Sequence, residues 1–301
     1  WLDKMVIVAP EATFSKVEIT MLDKRLLLEK GSDGVWGVGQ GGREEALKPE
    51  AFQILEETLS FLGAITVLSP DKKSIWGLDD PPYHIVGHLE SGGTIELEVS
   101  HPGLNEPAYL KRLDNGNESL YAITGSSFYR MFLAGGALYA LPGLELDKEA
   151  ITHIAYTTPE VSVELAYNGF EWKVVNPASD RSPNQGTLRR IASTVASWRA
   201  ADYADAGIDT GLAGSGYRVT VSTEAGDHTI ALGHEAFHVS GRYAQLDGGE
   251  DRLVMGRKDL RAIFLSEEAL YAEESDTMNK TISIGLPATG KATAPADGDD
   301  Q

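Results

Sequence analysis

The chain has 301 residues, 42% hydrophobic and 24% charged, which is enough for two ordinary globular domains with packed cores. Its formal net charge of −19 argues against polyanion binding through a basic face, so neither nucleic acid nor an anionic lipid surface is expected as a partner. With no cysteine, disulfides, thiol catalysis and thiolate-bound zinc are excluded too.

The chain opens on Trp1 and not on methionine, so further sequence is expected upstream. Arg25 to Trp36 reads as two antiparallel strands joined at a glycine-containing turn. Gly39 to Gly42 followed by Arg43 lacks the Lys-Ser/Thr that a phosphate cradle needs. From Pro49, Phe52, Leu55, Leu59 and Leu62 are spaced 3, 4 and 3, one stripe of a helix with Gly63 as its stop. Trp76-Gly-Leu-Asp79-Asp80-Pro81-Pro82 reads as a turn, since the residue before proline is pushed out of the helical region. Alternating strands open at Tyr83, Gly92 and Tyr109, and Phe128, Met131 and Phe132 mark a short closing helix. Met131 to Leu144 is uncharged, but Gly135, Gly136, Pro142 and Gly143 interrupt it. It is too short to span a bilayer and reads as a buried helix end and linker.

The same series then returns. Trp172 follows Trp36 by 136 positions, and Leu188, Ile191, Val195 and Trp198 follow the first helical stripe by the same 136. Ala206-Gly-Ile-Asp209, the strand at Tyr217, Gly226 to Leu232, the turn after Tyr243, and Leu260 with Ile263 and Phe264 complete the echo. The fold class expected is therefore α+β: two tandem repeats, each a mainly antiparallel sheet with one long and one short helix. The repeats span residues 15–142 and 149–272, with residues 1–14 as a lead-in. Residues 286–301, rich in Ala, Pro, Gly and Asp, are expected to form a disordered acidic tail.

Trp36, Trp76 to Pro82 and Tyr109 to Gly116, with their echoes in the second half, resemble a bacterial family known only as a domain of unknown function, type 4340. The resemblance covers most of residues 15–270. It implies an upstream membrane anchor, an extracytoplasmic body, and association with ABC-type export systems such as those of gliding motility. It supplies no catalytic residues. The second half departs from it after Asp209, where a glycine-rich segment replaces the paired prolines.

One motif could carry catalysis. His234-Glu235-Ala236-Phe237-His238 has the spacing with which two histidines one helical turn apart hold zinc while the glutamate activates water. A third histidine would fall at Ala244, and the repeat register places His234 in a hairpin region opposite Ser100 and His101. A metal gathered by His228, His234 and His238 from adjacent strands is a lesser alternative, and His84, His88, His101 and His153 read as solvated or core histidines. Leu286 to Gly290 imitates a sortase signal without the apolar stretch and basic tail such a signal needs. The favoured reading is a non-enzymatic, membrane-tethered binding or scaffold module with no cofactor and no metal, touching the membrane only through its anchor. Its partner is a membrane or envelope protein, and Trp76, Asp79, Asp80 and Asp209 are its candidate surface. The alternative is a zinc peptidase using His234, Glu235 and His238. The two segments that differ most between the halves, residues 206–217 and 233–241, are where a binding role is expected.

Overall fold

A computed structural model describes residues 4–9, 12–22, 24–40, 47–101, 103, 106–114, 116–205, 207–236 and 239–271. The chain is α+β, built on two eight-stranded antiparallel sheets. In the first half, β2 (Phe14–Met21), β3 (Lys24–Lys30) and β4 (Trp36–Gln40) form a meander. Helix α1 (Pro49–Ser60) follows, then β5 (Phe61–Gly63), β6 (Thr66–Val67), β7 (Tyr83–Leu89), β8 (Thr94–Ser100), β9 (Ala108–Asp114), β10 (Asn117–Ile123) and α2 (Gly125–Met131). The sheet runs β4-β3-β2-β7-β8-β9-β10-β6. The second half supplies β11 (Ile151–Thr157), β12 (Ser162–Tyr167), β13 (Trp172–Asn176), α3 (Gln185–Ala196), β14 (Asp202–Tyr203) and β15 (Tyr217–Thr223). It ends with β16 (Gly226–Ala236), β17 (Gly241–Leu246), β18 (Leu253–Gly256) and α4 (Arg257–Ile263), and the sheet runs β13-β12-β11-β15-β16-β17-β18-β14.

Alternation decides which face of each sheet is covered. On β8, Ile95, Leu97 and Val99 are buried while Glu96 and Glu98 stand on the other face. Phe52, Leu55 and Leu59 of α1 bury one stripe in the core, and Leu188, Ile191 and Val195 of α3 do the same. Trp36, partly buried, stacks flat on Phe52 at 5.6 Å against the core, and Trp172 is buried in the core beside Tyr167. The Asn184 side chain accepts the Thr187 N–H at 3.1 Å and fixes the start of α3.

Three expectations are corrected. Residues 5–8 are not a mere lead-in: they form β1 (Met5–Val8), which pairs with β5. That pairing ends α1 at Ser60, so Leu62 is buried from a strand and not from a helical turn. Trp198 likewise lies beyond α3 and is 1% exposed; the chain at Gly143 approaches its carbonyl so closely that a methyl there would overlap it. The expected tail, residues 286–301, and Gly41, Gly42 and Arg43 lie outside the described residues. Among the described residues no helix is long and apolar enough to cross a membrane.

One apolar core runs through both halves. At their junction Lys24 of β3 reaches Asp202 of β14 at 3.8 Å and Asp205 at 3.3 Å, and Tyr139 meets Tyr203 edge-on at 5.5 Å.

Candidate functional site

The first three residues of the His-Glu-x-x-His motif, His234 to Ala236, lie on a strand and not on a helix. His234 and Glu235 are consecutive residues of strand β16, which continues through Ala236. His238 lies outside the described residues. His228 is six positions up the same strand, roughly 20 Å away at the rise of a strand; its ring bonds Asp247 at 2.8 Å. The strand therefore does not bring His228 and His234 to one ion.

What forms around His234 instead is a groove between the segment leading into β15 and the β16–β17 hairpin. Gly211 takes a left-handed conformation at φ 61°, and a methyl on it would overlap the His234 imidazole. The His234 N–H donates to the Thr210 carbonyl at 2.8 Å, and Gly233 lies so close to Thr210 that no side chain fits there. Asp209 accepts the Gly211 N–H at 3.0 Å, and Ser215 Oγ accepts the Tyr217 N–H at 3.2 Å. Glycines at both docking points let the backbone of residues 209–216 lie against β16.

The register between β16 and β17 slips between Leu232 and Glu235, a bulge at which the Gly233 carbonyl stands. Arg242 of β17 donates to it through Nε at 2.8 Å, and its guanidinium carbon lies 4.0 Å from the centre of the Tyr217 ring. The Arg242 fork is thereby held at one edge and one face. It lines two adjoining hollows. The first, toward the glycine-rich segment, holds Asp209, Ser215 and His234 and encloses about 490 Å³. The second, toward α4, holds Glu235, Ser240 and Arg257 over Tyr217, Leu260 and Phe264, and encloses about 230 Å³.

The corresponding end of the first sheet is closed differently. A 3-10 turn over Pro70–Trp76 lays Trp76 against Tyr109 at 6.1 Å and buries Leu78 completely. Asp79 and Asp80 are exposed on the turn that follows, while Asp209 sits in the groove of the second half. The four candidate surface residues thus divide between two sites. His101 stacks on Phe128 at 4.3 Å beside Tyr129.

On the open face of the first sheet, the register sets His84 of β7 opposite Glu98 of β8. The His84 ring bonds Glu96 at 3.0 Å, and the three groups lie within 4.8 Å of one another. Lys111 already pairs with Glu98, so the cluster is a cross-strand charge ladder whose carboxylates have partners.

Sequence reasoning pointed to residues 206–217 and 233–241, and described residues of both segments, among them Asp209, Gly211, His234 and Glu235, line the groove. It missed Arg242 and Arg257, which belong to no motif; the Tyr217 ring before a strand and a lone arginine after Gly241 were the available signals. Compared with family models, with characterised proteins and with solved structures, the chain gives no match.

Proposed function

We propose that the chain is a duplicated, non-enzymatic binding module, and that the groove at Arg242 in its second half is where the partner docks. Duplication is supported by the two strand orders, which correspond position for position, and by the 136-residue offset of the tryptophans and helical stripes. The observation that carries the binding role is the Arg242 fork, held by Gly233 and Tyr217 and lining both hollows. An arginine fixed in this way loses little side-chain freedom on meeting a ligand.

The type 4340 resemblance sets the wider reading: an extracytoplasmic body on a membrane tether, serving an ABC-type export or envelope assembly. The peptidase alternative is not carried forward, because it needs two histidines one turn apart on a helix and β16 is extended through His234. The test is photo-crosslinking of the tethered protein in its native membrane. A benzophenone residue at Ala213, exposed on the groove, should form an adduct with a subunit of a membrane assembly. The same label at Phe170, 87% exposed on the β12–β13 turn, serves as control. Adducts at Ala213 no stronger than at Phe170 would refute the reading.

A further inference from the structure

We infer that the groove recognises the C-terminal carboxylate of a peptide ending in an apolar residue; this rests on the binding-module reading above. The chemistry of the wall selects it. The Arg242 guanidinium spends Nε on the Gly233 carbonyl and one face on Tyr217. Among the described residues its two terminal nitrogens have no hydrogen-bond or ion-pair partner, and the same holds for the exposed Arg257 guanidinium on the same hollow. A planar pair of donors with its back and face fixed matches the two oxygens of one carboxylate.

The floor beneath is apolar. Leu260 and Phe264 are only partly buried there, and Tyr217 meets Phe264 edge-on at 6.3 Å. A carboxylate on Arg242 therefore places the group attached to its α-carbon over a hydrophobic surface, where a terminal Leu, Val or Phe side chain loses water. The remaining lining groups fit a peptide better than a bare acid. Glu235 and the Ser240 hydroxyl stand across the same hollow and can accept backbone N–H groups, which a simple acid does not have. Glu235 and Asp209 also oppose any ligand with several negative charges, as does the net charge of −19, so one carboxylate is favoured over a phosphate. The first half lacks this arrangement: β9 holds the place of β17 in the strand order, and the hollow at the start of α2 is lined by His101, Glu106, Thr124 and Tyr129, with no arginine.

The experiment is calorimetric titration of the whole chain with three probes: a pentapeptide ending in leucine with a free carboxylate, the same peptide amidated, and hexanoate. The free peptide should bind saturably and more weakly at high salt. Amidation, Arg242→Lys and Arg257→Gln should each weaken it about tenfold or more, since each removes charge-assisted hydrogen bonds. Arg257→Gln guards against a folding artefact at Arg242, because Arg257 makes no side-chain bond among the described residues. Equal binding of acid and amide, hexanoate binding as tightly as the peptide, or no saturable binding of the free peptide would each overturn the inference. If crosslinking at Ala213 succeeds while the acid fails, the ligand class is wrong and the binding-module reading stands. If the free peptide binds and crosslinking fails, the carboxylate site stands and the membrane-assembly reading falls.

Discussion

Replacing Lys24 by methionine tests how the two halves are held together. The Lys24 ammonium faces Asp202 at 3.8 Å and Asp205 at 3.3 Å, with the Lys24 and Asp202 side chains 19% and 6% exposed. Burial pushes the Lys24 ammonium down, but the two carboxylates outweigh it and hold it above its ordinary range. Burial holds the Asp202 carboxyl above its ordinary value despite that cation. Removing one partner of a fully buried pair costs about 3–5 kcal/mol, because the remaining charge is left without compensation. Here Lys24 keeps some solvent, and the Tyr203 N–H still bonds Asp202 at 2.8 Å. Those two features reduce the expected loss to about 2–3 kcal/mol. For a chain of this size that corresponds to a fall in Tm of about 4–10 °C. Urea and thermal unfolding at pH 7 measure both quantities. Adding Asp202→Asn to Lys24→Met should restore more than half of the loss, since it removes the stranded charge. The pH dependence has a defined sign: the Lys24 folded value is raised above its ordinary 10.5, so its contribution is complete below that pH and is lost as pH rises through the folded value. The native chain should weaken there, and Lys24→Met should show less of this weakening. A single variant within about 0.5 kcal/mol of the parent, or a double variant less stable than the single, would refute the junction's dependence on Lys24.

Three further outcomes are expected. Gly211→Ala meets both a left-handed backbone and the His234 ring, and should cost about 1–3 kcal/mol and move the His234 imidazole resonances while leaving those of the first half in place. Trp198→Ala empties a site that is 1% exposed and should cost about 3–5 kcal/mol in urea unfolding, whereas an exposed helix-end tryptophan would cost far less. Protein purified without a histidine tag and dialysed against zinc should retain it below one equivalent by elemental analysis, with no change in His234→Ala, because His234 lies on an extended strand whose other described histidine, His228, is roughly 20 Å away.

The helices and the later strands were legible because their apolar residues keep one period. The stripes of α1 and α3 each contain three residues that the helix buries, and the fourth, Leu62 or Trp198, is buried from outside it. Two central strands, β2 and β11, were not read. Each carries a register shift near its start, between Phe14 and Lys16 and between Ile151 and His153, so the alternation breaks where a reader would look for it. The β1–β5 pair joins residues too far apart in sequence for local pattern to suggest it. In the groove, the glycines and His234 stood out as a difference between the halves. The chemistry did not, since Tyr217, Gly233 and Arg242 come from three separate places and meet only once β15, β16 and β17 have paired.

The contrast between the two sheet ends gives a physical reason for assigning the proposed binding role to the second. In the first half the segment after β6 buries Leu78 and rests Trp76 on Tyr109, so the covering chain gains apolar burial that holds it down. In the second half Tyr243, Ala204 and Val254 form a small satellite cluster, covered by Ile208 from the corresponding segment. After Ile208 that segment carries Gly211, Gly214 and Gly216, and no tryptophan. Among the described residues, its hold on the sheet rests on the packing of Ile208, on close backbone contacts at Gly211 and Gly233 and on a hydrogen bond from His234. Less burial per residue and more backbone freedom make this segment the cheaper of the two to open. A ligand seated on Arg242 would add contacts to residues 209–216 that the first half already has in Trp76 and Leu78, so binding should order this segment most. Hydrogen exchange with and without the free-acid pentapeptide measures that directly: protection should rise at residues 209–216 and stay unchanged at 70–78. Equal protection of both segments would show that the loops do not differ in stability and that the asymmetry lies in the arginines alone.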